Sequence, residues 1–192
     1  MEECSLGMVY EKVYTRMKTL AIFDFDQTLV MTPQDNKENR EILLKKRGYT
    51  RPGWWGRPET IDIDLFDIPL IPWVKDRYDE HKRNAHEVIL MTGRIIKLKE
   101  AVLKVIDHHG LEFDRYYLAD GRKTLDFKLD NIDRIVRGGE YGEVIIYDDR
   151  TSHIPHFRKL CDTLEDDLNI SARLFHVVGH SGYELKYKQK IR

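Results

Sequence analysis

The stretch Thr19-Leu20-Ala21-Ile22-Phe23-Asp24-Phe25-Asp26-Gln27-Thr28 decides how this 192-residue chain is read. An apolar run of strand character ends in two carboxylates two residues apart, and a hydroxyl follows. Side chains on a strand alternate with period two, so Asp24 and Asp26 are expected on one side of the strand end. Like charges at that spacing repel and are costly to hold unless a cation lies between them. A hard metal would supply that cation, and a carboxylate so placed can attack phosphorus. A helix cap or turn would also account for an isolated Asp-x-Asp. The strand before it and Thr28-Leu29 after it argue for the chemical reading.

Outward from this stretch, strand-like and helix-like segments alternate. Residues 87–91, 115–119, 143–147 and 173–178 read as further strands. Helical spacing marks 72–84, with Pro72 in its first turn, then 95–109, 128–136 and 154–168. Five strands with helices between them predict an α/β fold with a parallel sheet covered on both faces. In such sheets ligands bind beyond the carboxyl ends of the strands. The polar residues expected there are Asp24 and Asp26, Thr92-Gly93-Arg94, Asp120, and Asp148-Asp149. Residues 31–70 read as a long irregular insertion holding four of the six prolines and two of the three tryptophans.

Bulk properties narrow the class. The length suits one domain over 1–192 with a small insertion. A net charge of −1 removes any global electrostatic case for nucleic acid. Cys4 and Cys161 show no metal spacing and suit a reducing compartment. No run approaches a membrane span, and the acidic start lacks a secretory signal. The expectation is a soluble, cytoplasmic protein.

Each candidate residue has a chemical role. Asp24 is the expected nucleophile, and Asp26 the general acid and then base, provided its surroundings let it hold a proton. Asp149 is expected to join Asp24 and the backbone carbonyl of Asp26 around Mg²⁺, which takes oxygen ligands. Asp148 is either a further ligand or a hydrogen-bonding support. The Thr92 hydroxyl and the backbone at Gly93 would cradle an anion, with Arg94 adding charge. A lysine must neutralise the transferred phosphoryl group; Lys128 is favoured and Lys123 is its rival. His153 and His156 are better explained as helix-flanking residues than as ligands beside an all-oxygen site.

The insertion bears on substrate. Arg40, Lys45, Lys46, Arg47, Arg51 and Arg57 surround Trp54 and Trp55. Trp54, Trp55 and Arg57 are expected to touch substrate, since cations interleaved with aromatics suit a single-stranded nucleic-acid end. Equally, the tryptophans could anchor the insertion and the charges solvate it. The 59–67 segment is acidic and would repel a long polynucleotide.

In this order, Asp24-Phe25-Asp26-Gln27-Thr28, Thr92, Lys128 and Asp148-Asp149 resemble the four motifs of the haloacid dehalogenase-like phosphatase superfamily. Gln27 departs from the glycine common in the first motif. The stretch 23–29 with Thr32-Pro33 and Pro52-Gly53-Trp54-Trp55-Gly56-Arg57-Pro58 looks like the domain of this type in Swiss Army Knife RNA-repair-like proteins. In plan the chain is also similar to the phosphatase half of phage polynucleotide kinase–phosphatase, although it has no kinase P-loop. The resemblance implies a Rossmann-like three-layer sandwich with sheet order 5-4-1-2-3 and a small cap at about 31–70. It also implies Mg²⁺-dependent phosphomonoester hydrolysis on nucleic-acid ends (a 3′-phosphate) or nucleotides in repair. Alternatives are a phosphatase of phosphoproteins or small phosphometabolites, and a non-catalytic RNA- or protein-binding module.

Overall fold

The computed structural model describes residues 17–48 and 53–179, and the backbone of 181–184. Arg51, Pro52, Cys4 and the basic tail at 186–192 lie outside the described residues. Five strands, β1 (Lys18–Phe23), β2 (Glu87–Ile95), β3 (Arg115–Ala119), β4 (Tyr141–Asp148) and β5 (Ser171–Val178), pair in parallel in the order β3-β2-β1-β4-β5. This is the expected 5-4-1-2-3 order read from the other edge. A sixth strand, β6 (Ser181–Glu184), adds antiparallel to β5. It escaped the sequence reading because four residues containing a glycine give almost no periodic signal.

Alternation along the strands sorts the core into two layers. Ala21, Phe23, Val88, Leu90, Ile145 and Tyr147 face α2 (Pro72–Arg83), α3 (Lys99–His108) and the insertion. Leu20, Ile22, Ile89, Met91, Val144 and Ile146 face α4 (Thr124–Arg137) and α5 (Ile154–Leu168). The sheet is therefore covered on both faces, as its unbroken apolar strands require. Phe23 stacks on Tyr147 at 4.5 Å between centroids, and Tyr147 on Phe175 at 4.8 Å. These contacts tie β1, β4 and β5 together toward their carboxyl ends, each by about 0.5–1.5 kcal/mol beyond area burial.

Several boundaries differ from expectation, three of them in helical segments near the site or the insertion. The 31–70 stretch is not irregular throughout: α1 (Lys37–Arg47) lies within it. Its N-cap Asn36 accepts from Asn39 N–H at 2.8 Å, and Gly48 closes it in the left-handed region. These cap signals were present, but α1 buries only Leu43, so no apolar stripe announced it. The helix expected at 95–109 opens as a 3₁₀ turn at Ile96–Leu98. Helix α4 begins at Thr124, which puts Lys128 on its second turn.

Candidate active site

Asp24 and Asp148 come together through register. Phe23 pairs with Tyr147 across β1 and β4, and Asp24 N–H donates to the Tyr147 carbonyl at 3.0 Å. Each acid continues the parity that faces α4 and α5. Asp149 follows, and carboxylate oxygens of Asp24, Asp148 and Asp149 all lie within 4.8 Å of one another. Lys128 reaches in from α4, with Nζ 2.8 Å from Asp24 Oδ1 and 2.7 Å from Asp148 Oδ2. Lys123, by contrast, is exposed. Asp148 Oδ1 accepts from Arg150 N–H at 2.9 Å, so both Asp148 oxygens are occupied by the protein. Asp149 is thereby the more open of the two for a further ligand.

Three carboxylates against one ammonium leave an excess of two negative charges if all ionise. The protonation energetics carry that imbalance. Burial pushes Asp24 well above the usual carboxylate range, with Asp148 and Asp149 adding repulsion against the pull of Lys128. Burial, and then Asp148, pushes Asp149 up to about 6. Burial works against the Lys128 charge, but Asp148 and Asp24 outweigh it and raise its pKa. A divalent cation is the species that would satisfy this donor set, and all-oxygen, acid-rich ligation fits Mg²⁺.

Asp26 stands apart from the cluster. β1 ends at Phe23, so period two does not carry through the loop, where Gln27 takes a left-handed backbone at φ 56°. No cation between the Asp24 and Asp26 side chains is needed, because Arg94 meets the Asp26 charge: its Nη2 lies 2.7 Å from Oδ1 and its Nε 3.0 Å from Oδ2. Thr32 Oγ1 also donates to Oδ1, at 2.8 Å. The guanidinium thus spans both Asp26 oxygens. Oδ1 takes three hydrogen bonds and Oδ2 one, so Oδ2 is the less encumbered oxygen.

The phosphate-cradle residues divide. β2 runs on through Thr92-Gly93-Arg94 with a register irregularity against β3, a local bulge of the kind that re-aims side chains. Thr92 is fully buried, and its Oγ1 accepts from Arg94 N–H at 3.0 Å rather than facing the cavity. Gly93 does line the cavity, beside Thr124. A Cβ at 93 would sit 2.7 Å from Thr124 Cγ2, so only glycine lets the start of α4 approach.

A cavity of about 370 Å³ opens above these groups, with Asp24, Asp26, Lys128 and Asp149 at its floor. Trp55 and Gln34 of the insertion also line it, with Gln27 from the loop after β1 and Arg150 and His153 from the segment after β4. The two tryptophans part company. Trp54 is 3% exposed, donates from Nε1 to the Pro33 carbonyl at 2.8 Å and packs edge-on to Phe66. It anchors the insertion and offers no stacking face. Trp55 is 45% exposed at the cavity mouth. Arg57 does not border the cavity, and Asp120 lies outside it, paired with Arg122. Three of the insertion's cations pair with acids: Arg40 with Asp35, Lys45 with Glu41, Arg47 with Asp62. The basic stretch is therefore laced with acids, including those of the 59–67 segment.

Sequence reasoning missed Thr124, Gln27, Gln34 and Arg150 as lining residues, and discounted His153. Only His153 carried a signal, as a histidine just after the acid pair. It is 6% exposed, its Nδ1 has no hydrogen-bond partner among the described residues, and burial lowers its pKa to about 4. His156 is exposed and joins no ligand cluster among the described residues.

Two of the solved structures that share this fold come from RNA repair complexes. One, described as the structure of the Pnkp1/Rnl/Hen1 RNA repair complex, has a chain with a TM-score of 0.52 and 16% identity, over 88% of this chain and 46% of that one. The other, a structure of the Pnkp1/Rnl/Hen1 complex, gives 0.52 and 17%, over 90% and 50%. The chain thus spans about half the length of the solved chains it matches. A family model matches residues 74–190, a segment that includes Thr92, Lys128 and Asp148-Asp149 and begins after Asp24. With more than half of its length matched, the chain belongs to HAD domain family 1 in Swiss Army Knife RNA repair proteins.

Proposed function

We propose that this chain is a Mg²⁺-dependent phosphomonoester hydrolase working through an aspartyl-phosphate at Asp24. Its substrate in this reading is a phosphorylated nucleic-acid end, foremost a 3′-phosphate, in intracellular RNA repair. The observation that carries the chemistry is the convergence of Asp24, Asp148 and Asp149 on one point with Lys128 as their only side-chain cation among the described residues. Residues 1–192 act as one domain, with 31–70 as a small cap.

Asp24, Asp149 and the Asp26 carbonyl would hold Mg²⁺, with Asp148 kept to Lys128 and Arg150. Bound there, Mg²⁺ would offset the excess carboxylate charge and the charge on the phosphoryl oxygens. An Asp24 carboxylate oxygen attacks phosphorus, the ester P–O bond breaks, and the leaving oxygen takes a proton from Asp26. Water then attacks the same phosphorus and gives its proton to Asp26. The Asp24–phosphorus bond breaks, releasing phosphate and restoring the carboxylate. Lys128 steadies the Asp24 carboxylate throughout, and Gly93 and Thr124 border the space for phosphoryl oxygens.

The nucleic-acid assignment rests on family membership and on Trp55, whose exposed indole at the mouth can stack a terminal base. The ion-paired insertion argues for recognition of an end rather than of a long backbone. Hydrolysis of a 3′-phosphorylated oligonucleotide with and without Mg²⁺ tests the reading. Wild type is expected to turn over only with the metal. Asp24→Asn is expected to lose about 10³-fold or more in kcat while melting at or above the wild-type temperature. Normal turnover by Asp24→Asn would end the mechanism.

A further inference from the structure

Arg94 is the most tightly bound charged side chain at the site, and the phosphatase reading as stated gives it no task. Its side chain is 1% exposed. Nε and Nη2 grip both oxygens of Asp26. Nη1 turns the other way and donates to the Trp55 carbonyl and to Thr60 Oγ1, each at 3.0 Å. The guanidinium carbon lies 5.1 Å from the centre of the Trp55 ring. One planar group thus joins three chain segments: the bulged end of β2, the loop after β1, and the inserted segment.

We infer that Arg94 is a positioning residue that ties the inserted segment to Asp26, so that the Asp26 carboxyl is held for proton transfer only while that segment is closed against the cavity. This rests on the proposed phosphatase reading for its catalytic consequence, although the tie itself does not. The sequence reading gave Arg94 to the substrate. Four of its five N–H groups are instead taken by protein acceptors, which fixes the guanidinium plane and, through it, the Asp26 side chain. A rigid planar fork holds a carboxylate in orientation as well as in place. Thr60 Oγ1 in turn donates to the Arg57 carbonyl at 2.7 Å, so the hold reaches into the 3₁₀ turn at Pro58–Ile61. The same contacts place the Trp55 indole beside the fork. A base resting on that indole would press the segment shut and reinforce the grip on Asp26.

The inference predicts a particular split in kinetics. Arg94→Lys keeps the charge but loses the fork. It is expected to lower kcat about 10- to 100-fold on a 3′-phosphorylated dinucleotide with KM within about twofold, because Asp26 is misplaced rather than substrate lost. Thr60→Val removes one acceptor at nearly constant volume and should lower kcat roughly 3- to 10-fold in the same pattern. Added guanidinium should restore activity to Arg94→Ala severalfold; Arg94→Lys stands in its place if that variant does not fold. Amide hydrogen exchange, which needs no activity, reads the tie directly. Asp26→Asn and Arg94→Lys should both speed exchange in residues 53–62, although Asp26 lies far from that segment in sequence. Unchanged exchange there in Asp26→Asn overturns the tie. A raised KM with unchanged kcat in Arg94→Lys overturns the positioning role and returns Arg94 to the substrate. An inactive wild type defeats the phosphatase reading alone, and the exchange comparison still decides the tie.

Discussion

The floor of the cavity and the inserted segment above it are made from the same kinds of residue, yet they obey different rules. On the floor, acids and a lysine sit where strand register and helix periodicity put them. Asp24 and Asp148 are neighbours because Phe23 pairs with Tyr147, and Lys128 reaches them from the second turn of α4. In the insertion, Trp54 and Trp55 are adjacent in sequence and opposite in fate, 3% and 45% exposed. A regular element has a period that assigns each side chain a direction. An insertion has none, and each residue's direction is settled by local partners such as the Pro33 carbonyl for Trp54 and the Arg94 guanidinium for Trp55.

The sharpest way to break this contrast is to truncate each tryptophan. Trp54→Ala empties a buried site and removes a hydrogen bond, and is expected to cost about 3–5 kcal/mol in urea unfolding. Trp55→Ala should leave stability within about 0.5 kcal/mol. Equal destabilisation by both would show that Trp55, too, is an anchor.

Next in size comes the frame beneath the acids. His81 on α2 lies 3.0 Å from the Tyr147 hydroxyl through Nε2 and 2.9 Å from His86 Nδ1. Burial, with the neighbouring His86 adding to it, lowers the His81 pKa to about 4. The folded state therefore holds His81 neutral while the unfolded chain takes up a proton near 6.5. This contribution to stability is complete above that pH and is lost progressively as pH falls toward 4, up to about 3 kcal/mol. Unfolding at pH 7 and pH 4.5, compared with His81→Gln, measures it. The variant should show a shallower decline, and an identical decline would remove His81 from the account.

The smallest expected effect sharpens the substrate side. Trp55→Ala should weaken turnover of a 3′-phosphorylated dinucleotide by about 1–3 kcal/mol in kcat/KM. Turnover of a phosphate ester with no aromatic ring should change far less. Equal losses on both would mean that Trp55 acts without stacking and would favour the small-metabolite or phosphoprotein alternatives.

How far the sequence could be read follows the same division. The five parallel strands, the two covered faces, α5 to the residue, and the meeting of Asp24, Lys128, Asp148 and Asp149 were legible, because apolar runs and strand ends encode them, whereas the strand order came only with the family resemblance. Asp26 does not join Asp24 in the acid cluster because alternation ends with β1 at Phe23. Thr92 is expected to face an anion, but at the bulge its hydroxyl accepts from the Arg94 N–H instead. The basic stretch looked like a phosphate track, and pairing partners such as Asp35 and Asp62 were invisible as partners until the chain folded. The tie through Arg94 joins positions 26, 55, 60 and 94 and has no local signature at all.

The central claim is that buried acids from two strands form a divalent-cation site. Calorimetric titration of Mg²⁺ at pH 6 tests it most directly. Asp24 and Asp149 hold protons more tightly than ordinary carboxylates, so binding must release protons and the heat must depend on the buffer. One saturable site per chain with such buffer dependence, abolished in Asp24→Asn/Asp149→Asn, is the predicted result. No saturable binding by wild type, or equal binding by the double variant, would contradict the account.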